Sequence, residues 1–184
     1  MVLVAEDQRF HVHRNILALW SPVFEKMFTS EFQEKSKDEI PLPDKKASEI
    51  NELLLTIYPN VTEKPWVTIT QSNCHFLAKL AQEYQIEFIV RKCGEFLVDK
   101  MLTKEENVVN ELIFAQTYKL EKLVLTSAAE ASHLSLRKLN DHDMCDLIEP
   151  SNYKKIVEGI VQRLEKELEK AHLEYFRAQE DKGC

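Results

Sequence analysis

The sequence is poor in glycine and proline, with three glycines and six prolines in 184 residues. This scarcity excludes a collagenous or low-complexity chain and argues against an all-β sandwich, which needs many tight turns. Gly94, Gly159 and Gly183 lie too far apart to form a phosphate-binding loop. No serine stands in a G-x-S-x-G turn either. We therefore expect a protein that is not an enzyme and that binds no cofactor.

An excess of basic residues and long apolar runs are also missing. Lys and Arg number 24 against 31 Asp and Glu, which gives a net charge of −7 and disfavours a nucleic-acid partner. No run approaches the roughly 18 apolar residues of a membrane span, and the opening Met1–Ala5 is too short for a signal peptide. We expect a soluble cytoplasmic or nuclear protein whose partners are proteins.

Cysteine and histidine do not form a ligand cluster. The four cysteines contain no Cys-x-x-Cys pair, which is typical of reduced thiols inside the cell. His11 and His13 alternate on a predicted strand, and Cys74 precedes His75, but a structural zinc needs four ligands where each pair supplies two. His142 and Cys145 fall short in the same way. We expect no metal site.

The apolar residues that are present change their period early in the chain. Residues 2–4 and 10–13 predict a β-hairpin around a polar turn. Residues 15–29 then turn helical, with Ser21-Pro22 dividing them into two helices. Residues 40–43 fit only an edge strand because of their two prolines. Further helices are predicted at 48–58, 72–84 and 87–97, with a short extended piece at 67–69.

The second half has a helical period throughout. Thr103 and Glu106 have the spacing of a capping box. This box is predicted to open a helix that carries the apolar residues between 108 and 118. Another helix is predicted at 120–136, with a short one at 141–147. Beyond the break at 149–152, one long helix is predicted from 153 to about 179.

Several motifs, in their order and spacing, resemble the BTB/POZ family. The first is Phe10-x-Val12-His13-Arg14-x-x-Leu17, followed by Ser21-x-x-Phe24-x-x-Met27-Phe28. Leu53-Leu54-x-x-Ile57-Tyr58 and Phe76-Leu77-x-Lys79-Leu80-Ala81-x-x-Tyr84 come later. The resemblance covers residues 2–98 and implies an α+β fold with a small sheet and a helical bundle.

The run from Glu106 to Leu123 is similar to the three-box, or BACK-like, helical extension of BTB substrate adaptors. The expected organisation is a BTB/POZ domain at 1–100, an all-α BACK-like extension at 101–150 and a terminal helix at 151–184. The family usually has an acidic residue, and often a helix, before its first strand. Because this chain starts at Met1-Val2-Leu3, we expect a fragment start, which leaves the usual domain-swapped homodimer contact open.

The resemblance implies a function as well. In BTB adaptors, a triplet like Phe32-Gln33-Glu34 contacts cullin-3, which implies an adaptor that brings an unidentified substrate to a ubiquitin ligase. An exposed Phe can anchor an interface, and a neighbouring Glu supplies an oriented acceptor. The alternative without partner binding is that Phe32 packs onto the core of its own domain and Glu34 is exposed to solvent. The full set of expected partner-binding residues is Phe24, Lys26, Met27, Phe32, Gln33, Glu34 and Tyr58. The contrasting functional class is a BTB self-assembly module of a transcriptional regulator or scaffold that binds no ligase.

The terminal helix has apolar residues at alternating spacings of four and three, which is typical of a coiled coil. The predicted seam consists of Val157, Val161, Leu164, Leu168, Ala171 and Tyr175. Two interpretations stay open at this point. The helix either forms a short coiled coil, with a second copy or another partner, or lies as an amphipathic helix on the preceding domains.

Overall fold

The computed structural model describes residues 1–29, 39–58, 68–101 and 108–180. The chain divides into two compact units, Met1–Leu97 and Val98–Cys184. Thr103 and Glu106, the predicted capping box, lie outside the described residues, as do Phe32, Gln33 and Glu34.

The first unit contains a three-stranded sheet and five helices among its described residues. Its elements are β1 (Val2–Ala5), β2 (Gln8–His11), α1 (Arg14–Trp20), α2 (Pro22–Thr29), β3 (Glu39–Pro41), α3 (Ala47–Ile57), α4 (Cys74–Glu83) and α5 (Glu87–Met101), which crosses the unit boundary. The second unit contains α6 (Val108–Thr117), α7 (Glu121–Ala131), α8 (Leu136–Asn140), a 3₁₀ turn (Cys145–Leu147) and α9 (Pro150–Glu180). This α+β architecture confirms the predicted fold class.

The sheet has the strand order β2-β1-β3. β1 and β2 form the predicted antiparallel hairpin, whereas β3 runs parallel to β1 at the edge. That edge position accommodates Pro41, which has no N–H to donate to a further strand. Alternation along β1 places Leu3 and Ala5 in the core. Glu6, at the hairpin turn, accepts a 2.8 Å hydrogen bond from Ala47 N and so caps the start of α3.

Ser21 separates α1 from α2, as predicted. Its hydroxyl accepts a 3.1 Å bond from Phe24 N, which satisfies a free donor of the first turn of α2, and donates to the backbone carbonyl of Tyr84. Pro22 occupies the first helical position, where its missing N–H costs nothing. The serine is therefore both a helix cap and a tie between α2 and the end of α4.

The structure corrects three of the predicted elements. The short helix predicted at 141–147 is a turn that ends in the three-residue 3₁₀ helix Cys145–Leu147. Thr68 and Ile69 lie in no strand, so the described part of the predicted extended piece is irregular. The single helix predicted at 120–136 ends at Ala131, and a new helix, α8, starts after Ser135. The Ser135 hydroxyl accepts a bond from Lys138 N, which is an N-cap that a continuous apolar period had concealed.

The second unit holds the start of α9 tightly. The side-chain amide of Gln116, on α6, donates to Leu147 O and accepts from Glu149 N and Asn152 Nδ2. Asn152, Ile156 and Ile160 are buried along one face of α9, which packs on α7. Gly159 faces Ser132 so closely that a Cβ atom at position 159 would lie 2.7 Å from Ser132 Cβ. α9 starts at Pro150, three residues before the predicted start, because proline is accepted in the first turn.

Candidate protein-interaction surface

Helix α2 carries three of the predicted contact residues, and its period divides them between core and surface. Phe24 is 1% exposed and stacks on Tyr84 with the ring centroids 4.6 Å apart. Phe28, one turn later, stacks on Phe24 at 5.9 Å. The expectation that Phe24 touches a partner is therefore corrected: spacing of four residues puts Phe24 and Phe28 on the buried face. Phe24 supports the surface from beneath.

Lys26 lies on the opposite side of α2, whereas Met27 lies at the edge of the buried face. Lys26 is exposed and Met27 is half-buried. Arg14, at the start of α1, lies with its guanidinium carbon 5.7 Å from the centroid of the Phe28 ring. The accessible part of α2 thus combines a cation with a flexible apolar side chain, a combination that suits a protein partner.

Tyr58 follows α3 directly and is half-buried. Its hydroxyl accepts a 2.7 Å hydrogen bond from His13 N, and the His13 and Tyr58 rings lie 6.1 Å apart. This bond ties the end of α3 to the residue that precedes α1. Helices α2 and α3 both pack on α1, so the helix that carries Lys26 and Met27 and the helix that precedes Tyr58 share one neighbour.

Two ionisable groups in the core of the first unit, Tyr84 and Cys93, have raised pKa values. Burial, with a smaller contribution from the charge of Glu83, raises the pKa of Tyr84 to about 12. Burial, with a smaller contribution from Cys74, also raises the pKa of the Cys93 thiol to about 12. Neither group carries a charge near neutral pH, so Cys93 is not a reactive thiolate there and Tyr84 is not a phenolate.

The histidine pairs singled out in the sequence have local contacts. His75 Nδ1 lies 3.4 Å from Cys74 Sγ, and His142 Nδ1 accepts a 3.2 Å bond from Met144 N. Both His11 and His13 are exposed. Within the part of the chain that the structure describes, no three His, Cys, Asp or Glu side chains group in a way that could hold a metal ion. Over the same ranges, none of the helices combines the length and the apolar character that a membrane span requires.

Along α9, the predicted seam becomes accessible from its second residue onward. Val157 is half-buried, whereas Val161, Leu164, Leu168, Ala171 and Tyr175 are exposed. The alternative of an amphipathic helix lying on the preceding domains describes only the first three turns, where Ile156 and Ile160 are buried one residue before the seam positions.

Two side chains make long-range hydrogen bonds that the sequence does not reveal. Ser21 was identified as a cap, but no sequence signal shows its bond to Tyr84 O, 63 residues away. The guanidinium of Arg163 pairs with Glu167 on the same helix and also donates to Ser132 O and Leu134 O, contacts that no sequence pattern predicts. These carbonyls lie just after α7, where free backbone acceptors are expected. Arg163 therefore helps to hold α9 against the end of α7.

Known proteins resemble this chain over both units. The family matched by residues 1–101 is the BTB/POZ domain. BTB and MATH domain-containing protein 38 of Caenorhabditis elegans is 36% identical over 144 residues, covering 77% of this chain and 35% of that protein. BTB and MATH domain-containing protein 36 of the same organism is 30% identical over 167 residues, covering 90% of this chain and 49% of that protein.

Kelch repeat and BTB domain-containing protein 8 of Danio rerio is 29% identical over 123 residues, covering 67% of this chain and 19% of that protein. The chain thus spans less than half the length of each of these three relatives. The sheet-and-helix unit of residues 1–97 corresponds to the region that the family match covers. The chain belongs to the BTB/POZ domain family.

Proposed function

We propose that this protein is a non-enzymatic adaptor that docks cullin-3 through its BTB unit and presents a substrate for ubiquitination. BTB domains are typically interaction modules rather than enzymes, and the relatives' names pair such a domain with a MATH domain or kelch repeats. Those pairings support a general role as a protein-interaction adaptor. In this proposal, the BTB unit holds the ligase and a separate recognition surface holds the substrate, in the cytoplasm or the nucleus.

The observation that carries the proposal is the arrangement of α2. This helix presents Lys26 and Met27 to solvent while Phe24 fixes it to Tyr84. The triplet Phe32-Gln33-Glu34 follows α2 in the sequence and supplies the aromatic anchor and the acceptor that the docking requires.

A charge-matched pair of variants tests the proposal. Lys26→Glu reverses an exposed charge on the proposed surface, and Lys79→Glu makes the same change at an exposed position of α4. Titration calorimetry against the cullin-3 N-terminal domain is expected to show at least about tenfold weaker binding for Lys26→Glu, which corresponds to about 1.4 kcal/mol. Lys79→Glu is expected to bind like the unmodified chain. Equal affinities for both variants would remove α2 from the interface.

Changes in the triplet separate the adaptor from the scaffold alternative. Phe32→Ala or Glu34→Lys is expected to abolish cullin-3 binding and to leave the circular dichroism spectrum and the self-association unchanged. A folded chain that binds no cullin-3 in its unmodified form would instead favour the self-assembly module.

A further inference from the structure

Helix α9 has two parts that differ in their surroundings. The helix has 31 residues, which is about 46 Å at 1.5 Å per residue. The first part is buried at Asn152, Ile156 and Ile160. In the same part, Arg163 donates hydrogen bonds to the carbonyls of Ser132 and Leu134. Every residue from 164 to 177 is exposed.

The exposed part carries large apolar side chains in a heptad pattern. Val161 is 47% exposed, Leu164 51%, Leu168 71% and Tyr175 62%, with the exposed Ala171 between the last two. These five positions alternate as a, d, a, d and a of a heptad repeat, so they form one stripe along the helix. The stripe follows directly on the anchored part, so its direction is set by the second unit.

Interactions within α9 give the exposed part little stability. Lys170 and Glu174 form an ion pair at 3.9 Å, and Arg163 and Glu167 form one at 3.3 Å. Exposed pairs of this kind contribute about 0.3–0.5 kcal/mol each. Most of the stability of a helix in a protein comes from burial of its apolar face. A partner surface with the same period would bury the stripe and so stabilise this part of the helix.

The charges that flank the stripe are compatible with a second copy of the same helix in one orientation. The g positions of the repeat are acidic, Glu167 and Glu174, whereas the following e positions are His172 and Gln179. In a parallel pair of identical helices, each g residue faces the next e residue of the partner, so Glu167 meets His172 and Glu174 meets Gln179. In an antiparallel pair, g faces g, and glutamates would oppose glutamates.

We propose that the exposed stripe Val161–Leu164–Leu168–Ala171–Tyr175 binds the same stripe of a second copy of this chain as a short, parallel, two-stranded coiled coil. Two identical stripes have the same period by construction, and the parallel arrangement avoids like charges at every flanking pair that the described residues form. This self-association uses the second unit alone and is independent of cullin-3 docking at α2.

Site-specific cross-linking distinguishes this arrangement from other dimers. Ala171→Cys places a thiol at a d position, where the two Cα atoms of a parallel pair lie within the 4.4–6.8 Å range that a disulfide spans. Leu173→Cys is the matched control, because Leu173 is 59% exposed two residues along the same helix but at an f position outside the stripe. Both are made in the full chain with Cys145→Ser and Cys184→Ser; Cys74 and Cys93 are buried.

With copper–phenanthroline as the oxidant, Ala171→Cys is expected to give at least about ten times more disulfide-linked dimer than Leu173→Cys. Leu164→Glu together with Leu168→Glu should reduce that yield to the level of the control, with unchanged helix content by circular dichroism. Equal yields at positions 171 and 173 would overturn the proposal, even for a chain that dimerises through its BTB unit. Cross-linking of 171 to a thiol at 161 or 168, but not to 171 of a second copy, would overturn the parallel orientation.

Discussion

α9 approaches the end of α7 closely at Gly159. The tightness of this contact decides whether Gly159→Ala raises or lowers the free energy of unfolding. An alanine Cβ at this position would lie 2.7 Å from Ser132 Cβ and 3.1 Å from Ser132 Oγ. Alanine in a helix interior normally stabilises by about 1 kcal/mol over glycine, whereas overpacking of a tight contact costs about 1–3 kcal/mol. Because the clash is with a Cβ atom rather than with the end of a flexible side chain, we expect Gly159→Ala to destabilise the second unit by about 1 kcal/mol.

A double-mutant cycle isolates the cause. Ser132→Gly removes the atom that clashes, so Gly159→Ala made in that background should stabilise by about 1 kcal/mol instead. The coupling between the two positions is then about 2 kcal/mol, taken as the difference between these two expectations. Urea unfolding measures the free energies, and hydrogen exchange of the amides in residues 150–163 assigns the change to α9. Stabilisation by Gly159→Ala in both backgrounds would refute the close packing of α9 on Ser132.

The remaining predictions concern the core of the first unit. Phe24→Ala should lower the free energy of unfolding of the first unit by about 3–5 kcal/mol, because it removes a buried ring stacked on Tyr84; the exposed Lys26→Glu should change it by less than about 0.5 kcal/mol. Similar losses for both in urea unfolding would contradict the assignment of Phe24 to the core. Stability should fall as the pH rises from 9 towards 12, because Cys93 and Tyr84 stay protonated in the folded chain, with pKa values of about 12, while the unfolded chain loses protons at its ordinary values of 9.0 and 10.0. Urea unfolding at pH 8 and pH 10.5 measures this loss, and Cys93→Ala should make it smaller. A stability that does not change over this range would refute the burial of both groups.

The elements that local chemistry determines could be predicted from the sequence. The hairpin follows from alternation around a polar turn, and the boundary between α1 and α2 follows from Ser21 and Pro22. The family motifs also identified the BTB unit. These features need no knowledge of distant contacts, because their determinants lie within a few residues of one another.

The features that depend on distant contacts could not be predicted. The break after Ala131 places the carbonyls of Ser132 and Leu134 where Arg163 binds them, and Gly159 sits against Ser132. An apolar period that continues through the break conceals it. Phe24 is different, because its spacing of four from Phe28 already indicated a buried face. The family's contact pattern includes Phe24 among the partner-binding residues, whereas the helical period places it in the core.

The most direct test of the adaptor function is titration calorimetry of this chain against the cullin-3 N-terminal domain, with Glu34→Lys as the control. The adaptor proposal predicts a 1:1 complex with a dissociation constant below about 1 μM, or more than about 8 kcal/mol of binding free energy, that is lost in Glu34→Lys. A chain shown by circular dichroism to be folded that binds no cullin-3, or whose binding is unchanged by Glu34→Lys, would contradict it.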